Sequence, residues 1–223
     1  MEFEIDTADL EQIQDCLDHF PIIGVTTNPS ILKKANTEDF FARMKSIRSL
    51  IGPARQLHAQ VVSQSIDMQI KEAEVIHEKA DPDIYIKVPV TWEGIRTISV
   101  LKQKEFHVTA TAIYDSMQMY AAIEAGADYA AVYVNRICKM GGDPFKLIED
   151  AAHIIERCHY STKILAASFS NVSQVIESLH AGAHSVTVSP EILKSTYENA
   201  NIQKAIDDFQ ADWQEQFRQD GIF

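Results

Sequence analysis

Short apolar runs recur along the chain, each bounded by turn residues. The runs Phe3–Asp6, Ile22–Thr27, Leu57–Val62, Ile84–Val90, Val108–Ile113, Tyr129–Val134, Lys163–Phe169 and Ser185–Val188 predict eight strands. Between them lie stretches with helical spacing, among them Thr37–Leu50, Glu93–Lys104, Ser116–Ala125, Pro144–Cys158 and Val172–Ala181. Strands rich in Val, Ile and Ala that alternate with helices of this length predict parallel βαβ units. Thr37 stands as an N-cap before acidic residues. Glu124-Ala125-Gly126-Ala127 and His180-Ala181-Gly182-Ala183 each place a glycine where a helix ends in the left-handed region.

A run of eight such units fits a closed barrel or an open doubly wound sheet. The open sheet calls for a glycine fingerprint after its first strand, and here Asp6-Thr7-Ala8-Asp9 stands there instead. The chain is also short for eight units, and no Pro/Ser-rich linker divides it. The expected architecture is therefore an α/β (β/α)₈ TIM barrel, one domain over residues 1–223, with an extra C-terminal helix at Asn201–Arg218. In that helix Ile202, Ile206, Phe209, Trp213 and Phe217 recur at helical spacing, so it packs on the barrel's own surface or on a neighbouring subunit.

Composition narrows the partners. Of 223 residues 46% are hydrophobic, enough for one well-buried core, and the formal net charge is −12. An acidic surface disfavours nucleic acid and anionic membrane, so an anionic substrate needs a local cationic site. The three cysteines, Cys16, Cys138 and Cys158, are scattered, which fits a reducing cytoplasm and not a disulfide framework. The N-terminus has no signal-peptide pattern, and no apolar stretch nears the roughly 20 residues of a membrane span. The eight histidines show no metal-ligand spacing, and neither a nucleophile elbow nor a phosphate-binding glycine loop occurs, so no metal or cofactor is expected.

Chemistry in such barrels sits at the C-terminal ends of the strands. Polar residues fall there repeatedly: Asp6 on the first strand, Thr26 and Asn28 on the second, and Gln60 on the third. Lys87 lies on the fourth, Thr111 on the fifth, Tyr133 and Arg136 at the end of the sixth, and Ser168 on the seventh. Buried polar groups cost free energy unless hydrogen-bonded, so stability alone does not select them. Lys87 is the sharpest case, the one charge in Ile84-Tyr85-Ile86-Lys87-Val88-Pro89-Val90. It is either ion-paired, with Asp6 the obvious partner, or desolvated into a neutral amine able to attack a carbonyl. Tyr133, Gln60 and Thr111 can together hold a water for proton transfer. Arg136, with Gly141-Gly142 beyond it, has the donor fork that grips a phosphate or forms a surface salt bridge.

The runs Gly24-Val25-Thr26-Thr27-Asn28-Pro29-Ser30 and Ile86-Lys87-Val88-Pro89-Val90 resemble the transaldolase family. So do Asp6-Thr7, Thr109-Ala110-Thr111-Ala112-Ile113-Tyr114, Tyr133-Val134-Asn135-Arg136-Ile137 and Ala166-Ala167-Ser168-Phe169, in the same order along nearly the whole chain. The short length resembles the small subfamily that contains compact transaldolases and fructose-6-phosphate aldolases. The resemblance implies that Lys87 forms an imine with a ketose donor while Asp6 assists proton movement. It also implies that Asn28 and Ser168, with Thr26 beside them, hold donor hydroxyls and that Arg136 binds the acceptor phosphate.

Within that subfamily transaldolases carry Glu and Phe at the positions of Gln60 and Tyr133, so this chain is similar to the aldolase form. The implied reaction is reversible cleavage of fructose 6-phosphate to dihydroxyacetone and glyceraldehyde 3-phosphate. The alternatives are transfer of the dihydroxyacetone unit between sugar phosphates and a silent sugar-phosphate-binding barrel. Ser170 stands where relatives often carry a basic residue, which leaves a poorly phosphorylated acceptor open. A homodecamer whose C-terminal helix reaches a neighbour is the assembly the resemblance implies.

Overall fold

The computed structural model describes residues 1–222. Strands β1 (Glu2–Asp6), β2 (Gly24–Thr26), β3 (Gln56–Gln60), β4 (Tyr85–Pro89), β5 (Val108–Ile113), β6 (Tyr129–Tyr133), β7 (Lys163–Ala167) and β8 (Ser185–Val188) close into one barrel in chain order. Neighbours pair in parallel, and β8 returns to β1. The expected barrel is thus the observed one.

Its stability comes from the outer faces of the strands. Ile5, Val25, Leu57, Ile86, Val88, Val108, Val132, Ile164 and Val186 are buried against the helices in one continuous apolar cluster. Helices α1 (Leu10–His19), α2 (Pro29–Lys34), α3 (Phe40–Ile51), α4 (Ile66–Lys79), α5 (Trp92–Gln103) and α6 (Ser116–Glu124) follow the first five strands. After β6 come α7 (Val134–Lys139) and α8 (Pro144–Cys158), then α9 (Val172–His180), α10 (Pro190–Ser195) and α11 (Ala200–Phe217). Short polar side chains start most of them: Asp9, Asp39, Asp115, Asp143 and Asn171 accept from the first free backbone N–H groups.

Three local expectations change. Thr37 is not a cap; Asp39 accepts from the Ala42 amide at 3.0 Å, and α3 begins at Phe40. The Thr37 amide instead closes α2 by donating to the Leu32 carbonyl at 3.0 Å. Arg136 does not finish β6, because the chain turns at Tyr133 directly into α7. Ser168 lies one residue past β7, with φ 62°. The two glycine stops hold: Gly126 and Gly182 have φ 85° and 104°.

Helix α11 has no buried residue, and Ile202, Ile206, Phe209 and Phe217 are exposed. Trp213 packs at a tilt against Phe217 of its own helix, with ring centroids 4.3 Å apart. Its apolar stripe is therefore largely exposed, with Trp213 alone of the five half-buried.

Candidate active site

Side chains alternate across each strand, so the outward apolar set leaves its neighbours facing the lumen. Register places Asp6 beside Thr26, Gln60 beside Lys87, and Lys87 beside Thr109. Barrel interiors of this architecture are ordinarily filled by bulky branched side chains. Here the upper lumen is polar.

Lys87 is 4% exposed. Among the described residues its ammonium has no hydrogen bond and no carboxylate within 4.0 Å. Burial pushes its pKa below the ordinary lysine value, opposed by the negative charges of Asp6 and then Glu4. The arrangement is a desolvated amine facing a carboxylate rather than a contact ion pair. Asp6 is pushed the other way, above the ordinary carboxylate value, by burial; Lys87 and a hydrogen bond from Thr26 oppose that rise. Thr26 Oγ1 donates to Asp6 Oδ1 at 2.6 Å and lies 2.6 Å from Thr187 Oγ1. A carboxylate fixed by a hydroxyl on the next strand keeps one oxygen for other work.

A second cluster forms on β5, β6 and α7. Thr111 Oγ1 donates to Tyr133 Oη at 3.2 Å, and burial raises the Tyr133 pKa above its ordinary value, so the phenol stays protonated. Arg136 lies 4.9 Å from the Tyr133 ring centroid, and its Nη1 donates to Tyr114 Oη at 3.0 Å. Tyr114 meets Tyr133 edge-on at 5.7 Å. The register of β5 shifts between Ala110 and Ile113, where Ala112 takes φ 60°, a bulge at the rim of the kind that re-aims side chains beside functional sites.

The other expected residues reach the rim differently. Asn28 caps α2 by accepting from the Ile31 amide at 3.0 Å. Gln60 and Ser168 have no side-chain hydrogen bond among the described residues. Gln60 lines a cavity of about 670 Å³ with Phe40, Phe41 and Met68. Asp6 lines another of about 350 Å³ with Lys34 and Ser189. Neither cavity is lined by Lys87. Sequence reasoning missed Thr187 and Tyr114, and both were within reach of it: Thr187 is an inward residue of β8, and Tyr114 directly follows β5.

A closed parallel barrel with a desolvated lysine, a carboxylate and a protonated phenol toward its C-terminal rim is a (β/α)₈-barrel enzyme. The model of the transaldolase/fructose-6-phosphate aldolase family matches residues 3–222, and the chain belongs to that family. It is 46% identical over 213 residues, 96% of each chain, to the "Probable fructose-6-phosphate aldolase" of Streptococcus pneumoniae (strain ATCC 700669 / Spain 23F-1).

Proposed function

We propose that this protein is a class I aldolase that reversibly cleaves fructose 6-phosphate into dihydroxyacetone and glyceraldehyde 3-phosphate. The observation that carries the reading is Lys87, a buried amine without a contact ion pair, held near Asp6. The name of the pneumococcal relative supports the same substrate.

Lys87 attacks the ketose carbonyl, and the resulting carbinolamine loses water to give an imine. Asp6, acting directly or through a water, takes the proton of the C4 hydroxyl as the C3–C4 bond breaks and the aldehyde leaves. The electron pair of that bond is held as an enamine. Tyr133, Thr111 and Gln60 hold the water that returns a proton to C3. Hydrolysis then frees Lys87 and dihydroxyacetone. Asn28, Ser168 and Thr26 hold donor hydroxyls, and Arg136 grips the acceptor phosphate. The work is done by one domain in the cytoplasm, in a homo-oligomer (the resemblance implies a decamer) whose contacts include α11. Sedimentation of the full chain beside a chain ending at 199 tests that assembly; an unchanged oligomeric state rules α11 out of it.

The decisive assay follows fructose 6-phosphate turnover with and without erythrose 4-phosphate. Cleavage without the acceptor is expected. Turnover only when the acceptor is present would make the protein a transaldolase. Borohydride trapping with dihydroxyacetone is expected to modify Lys87; an unmodified Lys87 would remove the imine mechanism.

A further inference from the structure

One layer below the site the lumen holds a second pair of ionisable groups. Glu4 sits two residues before Asp6 on β1, and His58 two before Gln60 on β3. Both side chains are 0% exposed, and Glu4 Oε2 lies 3.1 Å from His58 Nε2. Glu4 Oε2 has no hydrogen bond among the described residues, and His58 Nε2 also lies 3.4 Å from Gln56 Oε1. Glu4 Oε1 accepts from Ser185 Oγ at 3.0 Å, and His58 Nδ1 is 2.9 Å from Thr109 Oγ1. Thr109 is the register partner of Lys87 on β5. On β2, Gly24 leaves the room Glu4 uses: a Cβ there would lie 3.2 Å from Glu4 Cγ.

Stability does not explain this pair. Buried ion pairs are often no better than apolar residues of equal volume, and barrel interiors are ordinarily packed with branched aliphatics. We infer that Glu4 and His58 are a positioning pair that tunes the site electrostatically from beneath, Glu4 acting on both Lys87 and Asp6 and His58 opposing it at Asp6. The inference rests on Lys87 being the imine-forming amine.

The surroundings leave few other charges to do this. Around the pair, β1 contributes Asp6 and Glu2, β3 Gln56, β4 Lys87 and Tyr85, and β5 Thr109; the β4 tyrosine stacks on His58 at 4.7 Å. From β6, Tyr129 meets His58 edge-on at 5.5 Å and donates to Glu2 at 2.8 Å, while β7 sends Lys163 to Glu2 at 2.5 Å and β8 supplies Ser185. Glu2 and Lys163 neutralise each other toward the opposite end of the lumen. Glu4 favours the protonated forms of both Lys87 and Asp6, and His58 acts against it on Asp6.

The sign follows from charge alone. Glu4→Gln keeps the shape and removes the anion, so Lys87 and Asp6 both release protons at lower pH. His58→Gln leaves Glu4 unopposed at Asp6, so Asp6 holds its proton to higher pH. Successive inward residues on a strand lie roughly 7 Å apart. At that distance a unit charge moves the acidic limb of kcat/KM by about one to two pH units.

The experiment records that profile for fructose 6-phosphate cleavage in wild type, Glu4→Gln, His58→Gln and Glu4→Asp, with a melting curve and a borohydride trap for each. The expected result is a limb shifted down in Glu4→Gln, up in His58→Gln and unmoved in Glu4→Asp, with Lys87 trapped throughout. Trapping with an unmoved limb in folded Glu4→Gln or His58→Gln, or shifts of both in one direction, would overturn the pair's role. Each of these two substitutions carries its own sign, so loss of one to misfolding leaves the test standing. Failure of trapping in the wild type would instead strike the imine reading itself.

Discussion

Replacing Tyr133 with Phe removes one oxygen and leaves the ring that lies 4.9 Å from Arg136 and meets Tyr114 edge-on at 5.7 Å. The packing and the cation–ring contact persist, so the loss isolates the hydroxyl. Its structural share is one hydrogen bond, the 3.2 Å contact with Thr111, worth about 1 kcal/mol. For a chain of this size that lowers Tm by roughly 2–4 °C. Its catalytic share is proton handling, which typically supplies about 10²- to 10⁴-fold, or about 3–5 kcal/mol of barrier. Burial raises the phenol's pKa, so it remains a donor through the working pH range and should not produce the basic limb of the wild-type profile. The assay is fructose 6-phosphate cleavage, coupled to detection of glyceraldehyde 3-phosphate, beside transfer to erythrose 4-phosphate and borohydride trapping. Cleavage should fall by about two orders of magnitude or more while trapping is retained, because imine formation at Lys87 does not require this hydroxyl. Adding Gln60→Glu should tilt the remaining activity further toward transfer. Cleavage in Tyr133→Phe within a few-fold of wild type, or an unchanged ratio of transfer to cleavage in the double variant, would refute the role given to these two residues.

Lys87→Met should abolish turnover and trapping yet leave Tm at neutral pH no lower than wild type, since it exchanges a buried, desolvated amine for an apolar side chain and Asp6 can take up a proton; a loss of several degrees would mean the amine is structurally required. Gly94→Ala should be costly, because a Cβ would meet the Pro89 carbonyl oxygen at 2.0 Å, at the end of the strand that carries Lys87. A stability loss of about 3 kcal/mol by urea unfolding, with reduced activity, is expected, and a neutral result would contradict the close approach of α5 to β4. Arg136→Ala should raise KM for glyceraldehyde 3-phosphate in the synthetic direction by about tenfold or more, from loss of one charge-assisted contact, while leaving that for unphosphorylated glyceraldehyde nearly unchanged. Equal losses for both aldehydes would move Arg136 out of the phosphate site.

The strands were legible because fully buried parallel strands read as continuous apolar runs, and each of the eight expected runs contains or closely overlaps an observed strand. Helices α2, α7 and α10 span six residues each, too few to display a 3.6-residue period, and none was read from the pattern. That is also why Arg136 was assigned to a strand end: the turn from Tyr133 into α7 leaves no polar spacer. Lys87 stood out as a charge in an oily strand. Glu4 and His58 carry the same signal in Phe3-Glu4-Ile5 and Leu57-His58-Ala59, but they sit below the rim on which attention fell. Their meeting across the lumen depends on the stagger between strands, which spacing along one strand does not encode.

The barrel has two interiors. One lies between strands and helices, built from Ile5, Val25, Ile86, Val108 and their neighbours, and it is apolar without interruption. The other is the lumen, where Glu4, His58, Thr109 and Ser185 meet below Lys87 and Asp6. Substitutions in the lumen therefore draw little on the surfaces that hold the fold together. A lineage, or an engineer, can explore new donors and acceptors by changing lumen residues in matched pairs while the outer shell stays fixed, much as a mould keeps its walls while its lining is recast.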